Sequence, residues 1–502
     1  MLFEKNVLNF TNKSKISEEQ ILLDSSFTAE NGYNKILWAD VSVQIDNAEP
    51  MTKELSYSGK AIFEVHYLDS ENKAKKYVNT VPFLNKFIHE SISPSVKVFL
   101  VPKVANIEVD SISEKINAVV NLEATIYNIG EIEVITGGDD NLCIQTSEEF
   151  TESLLKEDCT IFNEEITVDI TEKMSNVLGV KSCVIVKDVI PNKDFFTVEG
   201  EVQTVVKYIN SGDEIDRVET MNFSENFRRE IEVVGLTNEG KVDVCAHIKY
   251  DAYKYDVNRE TNKIDIVAPI NICFKAFDKM QVNVANDLFS ITHALSVVTN
   301  SYSKTEMQTP EYFEAKVEGS ISIEDTQPRI DKIIGFSNAN LNVTNFYVQD
   351  GVFVVEGIVS FDIAYLNDEM GNVITTHIEI PFSINTKLQI DNDAVLFPQI
   401  DLAEVEVTAR RGREIYLDAK LKSLVNYAKK VNGAVITNAE QGEMYDEKKY
   451  AIEIYFGKKG DDLWDIAREL RIKPETISIQ NPNLILPLEQ NENVVVYNQR
   501  NG

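Results

Sequence analysis

At 502 residues, with 43% hydrophobic and 26% charged residues, the chain has ordinary globular composition, with room for about three or four domains. Its 49 basic and 81 acidic residues leave a formal charge of -32, which repels phosphate backbones and anionic lipid headgroups and argues against a nucleic-acid or membrane-surface binder. Apolar residues run throughout, but no stretch approaches the roughly 18 uninterrupted apolar residues of a membrane span, which argues against both long disorder and direct membrane insertion.

In chain order, the opening residues Met1 to Asn6 lack the charged and apolar regions of a signal peptide, so a cytoplasmic protein is expected. Next come three copies of one β-rich motif: a glycine, an alternating apolar strand, and a tyrosine eight residues on. They run from Gly59 to Tyr67, from Gly200 to Tyr208 and from Gly357 to Tyr365. Polar turns follow each tyrosine, at 69–72, 210–213 and 367–371, and about fifteen residues beyond it an apolar-Phe motif ends in Phe83, Phe223 or Phe382. This spacing predicts a β-hairpin with a polar tip.

Upstream, the triplets beginning at Ile36, Val177 and Ile333 stand at similar distances from the glycines. Downstream, alternating strands follow at 117–122, 242–248 and 415–421. Period-two alternation gives each strand one buried face, and a two-sheet sandwich is the simplest arrangement that buries them. The glycines mark a bulge or a close backbone approach, and the tyrosines pack structurally. Polar joins begin at Gly137, near Asn300 and at Asn432, and residues 147–157 read as weakly helical. The units are placed at 1–145, 160–298 and 299–435, with a separate module at 449–502.

The chemistry of a catalytic site is missing from the sequence. It has no phosphate-binding G-x-x-x-x-G-K-[ST], no H-E-x-x-H and no G-x-S-x-G. The five histidines, His66, His89, His247, His293 and His377, lie singly, without metal-ligand spacing. Five cysteines form no C-x-x-C pair; Cys183, Cys245 and Cys273 sit in apolar runs and read as small buried hydrophobes of a reduced compartment. A non-enzyme without metal or cofactor is therefore expected. Arg410, Arg411 and Arg413 form the one basic cluster, at an expected hairpin tip.

After Tyr450 the pattern changes to strand, helix, helix, strand. Ile452 and Ile454 lie on one face of the first strand and read as core, Ile452 also as a supporting contact of a partner surface. Leu463, Ile466, Ala467 and Leu470 follow at helical spacing after the capping candidates Asp461 and Asp462. Pro474 opens a second helix, and Asn481-Pro482-Asn483 closes it. The run Gly460-Asp461-Asp462-Leu463-Trp464-Asp465-Ile466-Ala467, followed in register by Asn481-Pro482-Asn483-Leu484, resembles the LysM family. That resemblance implies binding of N-acetylglucosamine polymers between the loop before the first helix and the loop after the second. On this chain those loops are Gly460, Asp461, Asp462 and Leu463, and Asn483, Leu484, Ile485 and Leu486. A carboxylate at Asp462 replaces the family's hydroxyl residue, and the second loop is aliphatic; both suit a protein partner better than a glycan. Trp464, next to the buried helical stripe, reads either as a core-edge residue covered by the first strand or as the anchor of that surface, with Ile452 in support.

The whole chain, a mainly β protein of three tandem antiparallel β-sandwich-like repeats followed by a small α+β (βααβ) LysM module, resembles SipL-type clostridial spore coat morphogenetic proteins. The resemblance implies a scaffold in the mother-cell cytosol at the outer forespore surface. Its partner there is the coat-basement ATPase, stage IV sporulation protein A, bound partly through the LysM module, with other coat proteins as further partners. The alternative is a peptidoglycan or N-acetylglucosamine-polymer binder of the cell wall or spore cortex.

Overall fold

The computed structural model describes residues 2–497 except 30–31, 72–73, 111–112, 171–173, 211–216, 368–372, 447 and 449–450. The first unit comprises β1 (Phe3–Ser26), β2 (Tyr33–Met51), β3 (Glu54–Asp69), β4 (Ala74–Ile88), β5 (Lys97–Asp110) and β6 (Lys115–Gly138). Alternation works here as expected: Leu55, Tyr57, Gly59, Ala61, Phe63 and Val65 of β3 are all buried, while the residues between them are not. The β2-β3-β4 meander covers the β1-β6-β5 sheet, with one apolar core between the two layers.

The second unit repeats this plan with β7 (Leu142–Asp169), β8 (Met174–Asn192), β9 (Phe195–Asn210), β10 (Arg217–Glu232), β11 (Lys241–Ile248), β12 (Lys254–Asn258) and β13 (Lys263–Ser290). The third uses β14 (His293–Met307), β15 (Glu311–Ser322), β16 (Ile330–Gln349), β17 (Val352–Asn367), β18 (Val373–Gln389), β19 (Val395–Arg410) and β20 (Glu414–Met444). All pairings are antiparallel. The chain ends in β21 (Ile452–Gly457), α1 (Leu463–Leu470), α2 (Pro474–Gln480) and β22 (Glu492–Tyr497).

The repeated residues occupy equivalent places. Ile36, Val177 and Ile333 pair with Tyr67, Tyr208 and Tyr365, and all three tyrosines are buried. Opposite Gly59, Gly200 and Gly357 the preceding strand bulges, between Ile45 and Asn47, Val186 and Asp188, and Val343 and Asn345. A phenylalanine of the next strand closes over each glycine: Phe83, Phe227 and Phe382. The second unit therefore uses Phe227 rather than the expected Phe223. The strand at 242–248 is likewise β11, an outer neighbour of the central strand; the counterpart of the other two downstream strands is β13. The hairpin tips at 72, 211–213 and 368–371 lie outside the described residues.

Other expectations are corrected. Residues 147–157 are not helical but belong to β7, pairing from Ser147 opposite Val284 to Glu157 opposite Lys275. A long partner strand overrides a weak local helical preference. The stretch from Asn432 is not a join either, because β20 continues to Met444 opposite β14. The first join is the turn at 139–141, within the polar stretch that begins at Gly137, and the second is at 291–292 rather than near Asn300, which lies inside β14.

Beyond each sandwich the first and last strands run on as a two-stranded ribbon. The three ribbons pack on one another through Leu8, Val134, Val282, Val284, Tyr302 and Val435, and further along through Ile135, Ala285, Leu288 and Ile436. A ribbon has two broad faces and too few strands to bury either, so association is what stabilises it. Buried ions also join the units. Asp243 of β11 accepts hydrogen bonds from Lys13 of β1 and Tyr127 of β6, and Lys422 of β20 meets Glu201 of β9 at 2.7 Å. Burial opposes the Glu201 carboxylate, but hydrogen bonds from Lys187, Lys422, Gln203 and Ser224 hold its pKa down to about 2.

Candidate binding surface

In the C-terminal module the short strands and helices share a core of Ile466, Ala467, Ile477, Leu488, Val494 and Val496. Asp462 caps α1: its carboxylate accepts the Asp465 amide at 2.8 Å, and Asp465 returns a bond to the Asp462 amide, a reciprocal capping box. Asp461 accepts from the Tyr455 hydroxyl and the Lys458 amide, both at 2.8 Å. The Gly460 amide donates to the Leu488 carbonyl and the Leu488 amide to the Asp461 carbonyl, which ties the two loops together. Both carboxylates nominated for ligand contact are thus engaged in building the loop.

The structure distributes the nominated residues between two places. Leu463, Leu484 and Leu486 pack against the module core, while Asn483 and Ile485 are exposed on the second loop. Trp464 points toward the rest of the chain. Its indole N–H donates to Asp287 of β13 at 2.9 Å, its ring meets Phe289 edge-on at 4.9 Å, and Arg468 pairs with the same Asp287. Cys143 and Phe289 of the ribbon and Ile291 of the turn after it join the module core. Trp464 therefore docks the module on its own chain. Asp287→Ala, and separately Trp464→Ala, is expected to weaken this docking by about 2 kcal/mol, the scale of one buried aromatic anchor. The measurement is limited proteolysis: cleavage between Met444 and Ile452 should accelerate while the sandwiches melt as before.

The open surface lies on the other side. Ile452, Ile454 and Phe456 of β21 are 52%, 50% and 74% exposed, and Tyr497, paired with Ile452 on β22, is 57% exposed. The strand phase is the reverse of the core reading. Tyr455 turns inward, where its hydroxyl reaches Asp461, and the Gly457 backbone is covered by Leu488, so the alternate residues must face out. The nomination of Ile452 falls on this row. Ile454, Phe456 and Tyr497 were missed, although an Ile-x-Ile-x-Phe strand carries that signal once its inward residues are recognised.

Where the sandwiches meet, a cavity of about 390 Å³ is lined by all three units, among them Trp38, His66, Lys207, Thr220 and Asn338. Trp38 stacks on His66 at 4.5 Å. Burial, aided by the Lys76 and Lys207 charges and opposed by Asp40, pushes the His66 pKa down to about 3, so the imidazole stays neutral. Among the described residues no group of three or more His, Cys, Asp or Glu side chains is arranged to hold a metal ion, and no helix is long and apolar enough to cross a membrane.

One expectation about the cysteines is overturned. Cys273 is not a lone buried thiol: it lies opposite Cys159 in the β7–β13 ladder, Cα to Cα 4.0 Å, and the two are joined as a disulfide. Adjacent strands brought these sulfurs together from 114 residues apart, which spacing in the chain could not reveal.

Fold and surface together define a class: a mainly β protein of tandem two-layer units that carries a small βααβ module. No protein-family model matches the chain, and neither a curated protein nor a solved structure is detectably similar to it.

Proposed function

We propose that this chain is a non-enzymatic spore-coat scaffold, and that its C-terminal LysM-type module binds a protein partner, the stage IV sporulation protein A-type coat ATPase, at the forespore surface. The observation that carries the reading is the exposed apolar row of Ile452, Ile454, Phe456 and Tyr497. Three aliphatic or aromatic side chains on successive outward positions of one strand, with a tyrosine beside them, make a contiguous apolar strip. Such a strip is costly to leave in water and typical of a protein-binding hot spot. The loops favour protein over sugar as well, because Asp461 Oδ2 and Asp462 Oδ1 are already taken by the loop's own amides and by Tyr455. The chain's charge of -32 favours a partner with a basic rim around an apolar centre. The sandwiches then serve as the body that places this surface.

Phe456 is exposed, so Phe456→Glu should leave the fold intact and weaken capture of the ATPase by the full chain about thirtyfold, or ~2 kcal/mol. Binding is measured by titration calorimetry, beside sedimentation with insoluble chitin and peptidoglycan. Unaltered ATPase binding by the variant, or saturable retention on either glycan without any on the ATPase, would sink the proposal.

A further inference from the structure

Three of the five cysteines lie in one row. In the sheet formed by β7, β13 and β11, Cys273 of the central strand faces Cys159 on one side and Cys245 on the other. Residues directly opposite in antiparallel strands project from the same face, so the three sulfurs stand side by side. The neighbouring rows are also polar. Asp243, Lys275 and Glu157 form one, with Lys275 bonded to Glu157 at 2.9 Å. His247 and Asn271 belong to the other, their side chains 3.2 Å apart, and Asn271 also donates toward the Cys273 sulfur. All three cysteines line one cavity of about 610 Å³, and Cys183 of β8 lines it as well. Cys159, at the β7 end, is exposed; Cys245, at the β11 end, is the free thiol.

We infer that Cys159, Cys273 and Cys245 form a thiol–disulfide exchange site, open at Cys159 to a small monothiol. Exchange requires a thiolate to approach the disulfide along the S–S axis, opposite the leaving sulfur. A straight row across three strands supplies that order: attacker, central sulfur, leaving group. Burial pushes the Cys245 pKa up to about 11, so attack runs through the minor thiolate form: the thiol loses its proton to solvent, and its sulfur bonds to the Cys273 sulfur. The Cys159–Cys273 bond breaks, and Cys159 leaves as a thiolate that takes up a proton. One disulfide and one thiol are present before and after, so no oxidant is consumed. A residue on the central strand forms a hydrogen-bonded pair with one neighbour and a non-hydrogen-bonded pair with the other, about 5.5 and 4.5 Å between Cα atoms. The 4.0 Å spacing to Cys159 marks the close side. The wider side, toward Cys245, still falls within the roughly 4.4–6.8 Å that a disulfide spans. After the shift, the Cys159 thiol stands at the surface, free to form a mixed disulfide.

The full chain, equilibrated with a mixture of reduced and oxidised glutathione, is quenched in acid, alkylated and mapped by mass spectrometry. In the wild type two bonds are expected, Cys159–Cys273 and Cys245–Cys273, with glutathione attached at Cys159 and with Cys143 and Cys183 unmodified. Cys159→Ser, a change at an exposed position, should leave Cys245–Cys273 as its one disulfide; Cys245→Ser should retain Cys159–Cys273. Alkylation of both Cys245 and Cys273 in Cys159→Ser, a Cys159–Cys245 bond at comparable yield, or absence of any disulfide in the wild type would each overturn the assignment.

Discussion

Asp243→Ala should be among the most destabilising single substitutions in the chain, by about 3–5 kcal/mol, the cost of leaving one member of a buried ion pair behind. Asp243, Lys13 and Tyr127 are each at most 3% exposed. Lys13 also lies over the Phe397 ring at 4.2 Å, and its backbone amide donates to Thr305, so the node draws on all three sandwiches. Burial lowers the Lys13 pKa, and Asp243 is what opposes that shift. Without the carboxylate, the buried ammonium loses its ion partner and keeps the Phe397 and Tyr127 ring faces, and the Tyr127 hydroxyl loses its acceptor. The expected result is a fall in the thermal and urea midpoints of the whole chain, since the node belongs to no single unit. Replacing both partners, as in Lys13→Met with Asp243→Leu, should recover most of the loss, because the pair's desolvation cost disappears with its attraction. If Asp243→Ala melts with the wild type, the node is not a stabilising element.

The second large effect is expected at the repeated glycines. A Cβ on Gly357 would lie 2.5 Å from the Asn342 carbonyl oxygen and 2.9 Å from the Phe382 ring. One on Gly200 would lie 2.5 Å from the Ile185 carbonyl oxygen and 2.7 Å from Phe227. Neither obstacle yields easily, since a bulged backbone stands on one side and a packed ring on the other. Gly357→Val or Gly200→Val should therefore cost about 3 kcal/mol, the upper range for overpacking a core. Gly179→Ala is the control: its nearest neighbour would be the His66 ring at 3.6 Å, an ordinary contact, and a change below about 0.5 kcal/mol is expected. Equal effects at Gly179 and Gly357 in chemical denaturation would show that loss of glycine's flexibility, rather than the clash, is what matters.

The candidate site was legible only in part. The helices of the module and the cap at Asp462 follow from short-range chemistry and lie where the spacing puts them. Ile452 was selected, but with Trp464 as its companion, and the structure separates the two. Trp464 faces Asp287, 177 positions earlier in the chain, while Ile452 faces solvent beside Phe456 and Tyr497. An apolar strand does not reveal which of its faces is covered, because that depends on which neighbour arrives.

What the amino-acid sequence determined by itself was local and periodic: the mainly antiparallel β character, the three copies of one hairpin with its glycine and tyrosine, and the strand-helix-helix-strand order of the last fifty or so residues. These depend on alternation, turn residues and caps, whose physics acts over a few positions. Only the tertiary structure decided that 147–157 is a strand, that three ribbons share one core, that Cys159 meets Cys273 in line with Cys245, and that Trp464 turns inward. Each of those outcomes depends on a partner strand or face far away in the chain, where burial and pairing outweigh the preference of any local segment.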